Sequence, residues 1–303
     1  MDRRIQLKYH LKVAYAGLLL FTEQVFGINA AKKIDVYLRF RKHLNLRNPR
    51  TLRDKVSYIA LHALPDLAVR CTDKWEVREY VASKGLEDIL IPVCGTAVSR
   101  VEDLDFSALP DRFVLKATHG CAMNYVCKDK SGFDKNHCIA VLKKWLNTTY
   151  GTFSVEPHYR KIPHRIYAEA FLGDSELLTD YKIHCINGHP SFILVCSGRE
   201  GGFVQMDIFD LNWKWLDAVQ PYKGHVPGDG NVPKPRNLDR MLQIAEILSR
   251  DFDFVRVDLY EIHSKVYFGE LTFTPANGVF PSYKYNLLER EGRKLQITDR
   301  VVV

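Results

Sequence analysis

Two apolar-alternating runs near the C-terminus constrain this chain more than any other stretch. They are FVRVDLY at 254–260 and VYFGELTF at 266–273, separated by a short polar turn. Alternation at period two on both sides of a turn predicts an antiparallel hairpin with one buried face. Asp258 and Glu270 are then the acidic residues on two adjacent strands. A carboxylate inside a strand rich in Val, Leu, Tyr and Phe costs several kcal/mol unless something neutralises it. Two on paired strands point to a shared cation, and oxygen ligands suit Mg²⁺. The alternative is that both face solvent on an ordinary hairpin, with Arg256 as a salt-bridge partner.

At 303 residues and 46% hydrophobic composition, the chain is long enough for two or three subdomains and a buried core. The formal charge of +7 favours anionic partners such as a nucleotide, an acidic glycan or an anionic membrane surface. Nucleic acid is disfavoured, because the sequence has no zinc-ligand spacing, no RRM-like signature and no long Lys/Arg run. Seven cysteines, an odd number with no CxxC pair, are read as reduced thiols of a cytoplasmic protein. Cys121 and Cys127 flank a loop but lack a partnered His/Asp arrangement.

Arg3, Arg4, Lys8 and Lys12 precede the uncharged run VAYAGLLLF at 13–21, which is about half the ~20 residues of a spanning helix. Such a helix suits either an anionic membrane surface or the protein's own core. Residues 31–70 are expected to be helical and basic, with Pro49 at a helix start. Asp73 with Glu76 predicts a capping box that puts Lys74 in a helical first turn. Residues 88–98 read as strand, turn and strand, and further strands are expected at 113–120, running into a polar loop, and at 125–130, 165–172, 180–188 and 190–199, the last two joined by the hairpin signal Asn187-Gly188. Lys116 lies late in an apolar strand before a Gly-containing loop, a place where a chain presents charge and free N–H groups to phosphate. Helices are predicted over 134–149 and 238–250, and the Gly/Pro-rich 200–236 reads as a surface loop.

In this order the pieces resemble the ATP-grasp superfamily, most closely the TupA-like proteins associated with teichuronopeptide and surface-polysaccharide synthesis. The resemblance spans residues 48–300 and rests on DKWEVREYV (73–81), FVLKATHG (113–120), RIYAEAFL (165–172), DYKIHCINGHPSFI (180–193) and RVDLY…FGELTFTP (256–275). The last is similar to the R-x-D and E-x-N stretch of D-alanine–D-alanine ligases. It implies an α+β ATP-grasp fold with a helical, basic N-terminal extension: 1–66 helical, 67–110 a preceding segment, 111–170 the first subdomain, and 171–303 the second with the catalytic hairpin.

By the same resemblance Lys74 and Lys116 are the phosphate lysines. Glu169 with the backbone of Ala170 and Leu172 is the adenine hinge, and Asp180 takes the ribose hydroxyls. Lys182 and Arg199 reach the γ-phosphate or the acceptor, Asp258 and Glu270 hold Mg²⁺, and Arg256 is the cation beside the reacting centre. Two departures stand out. Thr272 replaces a metal-binding Asn, so its hydroxyl, a water or Asn277 must complete the coordination; and the loop after Lys116 reads GCAMN rather than glycine-serine-glycine. The implied activity is an ATP- and Mg²⁺-dependent ligase joining a glycan carboxylate to an amine, with a glycan kinase or a non-catalytic scaffold as alternatives. Apart from the resemblance, the cysteines point to the cytoplasm, and the basic, apolar N-terminus leaves peripheral membrane contact through residues 1–22 open beside packing on the core.

Overall fold

The computed structural model describes residues 3–152, 154–173, 179–198 and 202–298, with side chains from residue 10 onward. Its architecture follows from the apolar faces of two sheets. In the smaller, β1 (Phe113–Ala117) pairs antiparallel with both β2 (Asn124–Cys127) and β3 (Ile166–Ala170), in the order β2-β1-β3. Phe113, Leu115, Ala117, Ile166 and Ala168 alternate onto one face. There they bury against Cys138 and Leu142 of α6 (Lys135–Leu146), which begins where Asp134 accepts from the His137 N–H.

The larger sheet runs β10-β9-β4-β5-β6-β7, with a short β8 (His225–Pro227) parallel to β6. Its central strands are β4 (Asp180–Ile186), β5 (His189–Ser197), β9 (Phe254–Ile262) and β10 (Lys265–Thr272). The predicted turns are present: Asn187 and Gly188 both adopt positive φ between β4 and β5, and His263 and Ser264 do so between β9 and β10. Along β4 and β9, Tyr181, Ile183, Cys185, Val255, Val257 and Leu259 point to one face. That face is covered by Met241, Ile244, Ala245 and Leu248 of α7 (Leu238–Ser249). The opposite face is covered at one end only, by α3 (Leu52–His62) and α8 (Tyr285–Lys294) packing on Phe192, Leu194, Ile208 and Phe254. Its other end is left open as a cleft.

Residues 31–70 are largely helical as expected, in α2 (Ile28–Phe40), α3 and α4 (Asp66–Thr72). Several other local expectations are corrected. The start of α3 is fixed by a Thr51/Asp54 capping box rather than by Pro49. Asp73 accepts from the Trp75 and Glu76 N–H groups, but the Glu76 carboxylate binds Arg165 instead of closing a box. Lys74 therefore lies in a turn before α5 (Val77–Ser83), not in a helix. Residues 88–98 pair with β3 at two isolated bridges, at Val93 and Val98, rather than as two full strands. Within the expected loop 200–236, β6 (Val204–Phe209) and β7 (Trp215–Leu216) extend the large sheet. Strong Gly/Pro punctuation on both sides hides this short alternation.

Candidate functional site

Strand register gathers the predicted residues onto the open end of the large sheet. Lys182 lies opposite Asp258, which lies opposite Glu270; in the next rung Arg256 lies opposite Thr272. The second pairing depends on a β-bulge at Gly269. Up to that point Val266 and Phe268 face the α7 core, and beyond it Leu271 and Phe273 do, so one extra residue switches the parity of the strand. Without the bulge, Glu270 would lie opposite Val257 and point into the core. The sequence carried two signals for this, a Gly inside a strand and a skipped beat in the apolar pattern.

Asp258 is buried and accepts from Arg256 Nε (2.6 Å) and Nη2 (2.7 Å) and from Lys182 Nζ (2.6 Å). Burial alone would raise its pKa; the Arg256 guanidinium and then the Lys182 ammonium reverse this and hold it below the usual carboxylate range. Burial likewise disfavours the charge on Lys182 and Arg256, and in both cases Asp258 more than restores it. Lys182 also lies 3.5 Å from Asp180. Thr272 donates its hydroxyl to Glu270 (3.0 Å) and accepts from Arg256 (3.1 Å). Glu270, one third exposed, lies 3.5 Å from Arg256 and 4.0 Å from Lys74.

Two carboxylates and a hydroxyl on one face fit Mg²⁺, a hard cation usually held by one or two carboxylates with substrate phosphate and water completing the shell. Asp258 and Glu270 would hold it, with Thr272 beside them. Asn277 is not available for this role. It is buried, its amide donates to Asp35 (2.6 Å) and its carbonyl oxygen accepts from Lys32 (2.5 Å).

Across the cleft, Lys116 forms an ion pair with the buried Glu169 of the neighbouring strand. The pair lines a cavity of about 220 Å³ between the two sheets, bounded also by Ala170, Phe171, Leu172 and, from the large sheet, Tyr260. Lys74 is drawn to the loop after β1: its backbone N–H donates to Thr118 O (3.2 Å) and its ammonium to Gly120 O (2.5 Å). A second cavity of about 230 Å³ adjoins the hairpin, lined by Lys182, Arg256, Met206, His225, Phe280 and Tyr283. Its charged lining is cationic. His184, missed in the sequence, lies opposite Arg256 on the neighbouring strand with its Nε2 3.0 Å from the Tyr283 hydroxyl. Of the predicted residues, the fold brings Lys74, Lys182, Arg256, Asp258, Glu270 and Thr272 together and holds Lys116, Glu169, Ala170 and Leu172 at the inter-sheet cavity. Asp180 lies beside the ladder, 3.5 Å from Lys182, and Arg199 lies outside the described residues.

Residues 55–291 match the family model described as TupA-like ATPgrasp. No curated protein matches the chain. Similar solved structures include D-alanine–D-alanine ligase from Bacillus anthracis, 16% identical over 74% of this chain and 64% of that one, with a TM-score of 0.42. The L-amino acid ligase from Bacillus licheniformis is 14% identical over 92% and 64%, with a TM-score of 0.49. The D-alanine–D-alanine ligase from Helicobacter pylori is 15% identical over 82% and 70%, with a TM-score of 0.41. The chain thus spans 64% of the length of the first two.

Proposed function

Because the chain belongs to the TupA-like ATP-grasp family and has its α+β fold, we propose that it is an ATP- and Mg²⁺-dependent ligase that joins a carboxylate to an amine. The observation that carries this reading is the ladder Lys182–Asp258–Glu270 with Arg256 and Thr272 beside it, facing a cleft whose other wall holds Lys116. Phosphoryl transfer needs positioning and charge neutralisation more than a nucleophilic triad, and this cleft supplies cations from both walls.

In this reading the inter-sheet cavity takes the nucleotide, with adenine against the backbone of Ala170–Leu172, ribose near Asp180 and phosphates between Lys116 and Lys74. Bound Mg²⁺ would supply neutralisation of phosphate charge at Asp258 and Glu270. The second cavity takes the acceptor, and its cationic lining by Lys182 and Arg256 favours a carboxylate over a neutral hydroxyl. A carboxylate oxygen attacks the γ-phosphorus and ADP leaves; the amine then attacks the acyl carbon of the resulting acyl phosphate, losing a proton as inorganic phosphate departs. Arg256 is placed to stabilise the negative charge in both steps. The motifs' resemblance to surface-polysaccharide synthesis proteins motivates the substrate side of the proposal: a sugar acid or similar glycan unit as the carboxylate and an amino acid as the amine.

Hydroxylamine tests the reaction class, because it intercepts an acyl phosphate as a hydroxamate and leaves a sugar phosphate untouched. With ATP, Mg²⁺ and candidate glycan carboxylates, the expected result is amine-dependent ADP release, with hydroxamate formed when hydroxylamine replaces the amine. Accumulation of a stable phosphorylated glycan with no amine requirement would replace the ligase by a kinase.

A further inference from the structure

The helix α1 (Arg3–Phe26) is anchored on one side and bare on the other. Its inner side buries Ala16, Leu19 and Thr22, with Leu19 packed on Ala31 of α2 and on Val155. Polar ties fix it in place: the Tyr15 hydroxyl donates to Asp35 (2.5 Å), and Glu23 accepts both Arg160 nitrogens (3.0 and 2.9 Å). Its outer side leaves Leu11 (61%), Leu18 (45%), Phe21 (59%) and Val25 (55%) exposed. At about 100° per residue these four fall within a sector of roughly 80°. Half of the exposed large hydrophobic side chains among the described residues, seven of fourteen, lie in this one helix. Scattered exposed apolar residues are ordinary, but a contiguous stripe on a well-anchored helix marks an interaction surface.

Charge says what covers it. Residues 1–53 contain twelve Lys and Arg against three Asp and Glu, a net +9, while the whole chain is +7. The remaining residues are therefore net −2, and the excess positive charge sits in the segment that bears the apolar stripe. Lys33, Arg41 and Arg47 of this segment are exposed. No helix among the described residues is long and apolar enough to cross a membrane. We propose that α1 lies in the plane of an anionic bilayer interface, its stripe among the acyl-chain ends and the basic 1–53 segment against the headgroups. This holds the nucleotide cleft at the membrane surface and does not depend on which reaction the cleft performs.

Sedimentation of the full chain with vesicles tests the proposal. Binding is expected to phosphatidylglycerol–phosphatidylcholine vesicles and not to phosphatidylcholine alone, and to fall as salt screens the headgroups. Leu18→Ser/Phe21→Ser should lower partitioning by at least roughly tenfold, with melting temperature and nucleotide binding unchanged. Phe21→Trp, a mild change at an exposed position, should shift its emission to the blue on adding anionic vesicles even if the double variant does not fold. Equal binding of parent and folded double variant, or no emission shift, overturns the proposal. So does a dimer in light scattering that the double variant dissolves while the parent ignores vesicles, because the stripe would then join two copies of the chain.

Discussion

Asp258 and Glu270 sit side by side but carry different loads. Asp258 is almost fully buried between Arg256 and Lys182, whereas Glu270 is one third exposed at the cleft mouth. Removing one partner of a buried charge network costs about 3–5 kcal/mol, because the remaining charges stay buried without compensation. Asp258→Asn is therefore expected to abolish ADP release and to lower the melting temperature markedly. Glu270→Gln should abolish ADP release while moving the melting temperature little, since exposed pairs are worth ~0–1 kcal/mol. Calorimetry of the two purified variants, run beside a turnover assay, checks the contrast. Lys116→Ala removes a charge-assisted contact to phosphate worth about 1.5–3 kcal/mol, and should raise the nucleotide dissociation constant by roughly ten- to a hundredfold in titration calorimetry.

At the scale of elements, the bulge in β10 decides which way Glu270 points. A Cβ on Gly269 would meet Tyr260 Cε2 at 2.9 Å and the Asp258 carbonyl oxygen at 3.0 Å, and the backbone oxygen cannot swing away. Gly269→Ala should cost about 1–3 kcal/mol of stability and reduce turnover by displacing Glu270 from Asp258. If a denaturant titration matched the parent, the bulge would not be constrained in this way. The loop after β1 depends on Lys74, which ties it through Thr118 and Gly120. Lys74→Ala should speed amide hydrogen exchange over residues 118–124 as well as weaken nucleotide binding; a pure phosphate ligand would affect only the second.

Across the whole molecule, buried polar groups stitch the N-terminal helices to the segments around Val155 and Asn277. Lys32 is fully buried and donates to Val155 O, Asn277 O and Asn277 Oδ1, and burial lowers its pKa to about 8. Through Asn277 it holds the turn that follows the β9–β10 hairpin. Three buried histidines should make the fold acid-sensitive. Desolvation lowers His119 to about 4 and His158 to about 3, and takes His184 well below its ordinary 6.5. Between these values and 6.5 the unfolded chain binds protons that the native chain refuses, so stability is full above 6.5 and is lost as pH falls toward 4. Each such proton contributes a slope of about 1.4 kcal/mol per pH unit. The melting temperature should drop over that window, and His119→Gln should make the drop shallower.

The sequence by itself determined the C-terminal hairpin, its turn, the α7 stripe and the Asn187-Gly188 turn, because each is written in local periodicity or in residues with special backbone freedom; the α+β class followed from the order of the motifs and the family they resemble. It also brought forward every residue of the ladder, since a carboxylate or a basic side chain inside an apolar strand is visible without a structure. Only the tertiary structure decided which of these charges pair. Lys182 and Asp258 are seventy-six residues apart in sequence and 2.6 Å apart in space, and register between strands is set by packing on α7 and by the Gly269 bulge, not by either strand alone. The same holds for Asn277, which reads as a spare metal ligand in sequence and is bound to Lys32 and Asp35 in the fold. Non-local contacts took it, and no local pattern records them.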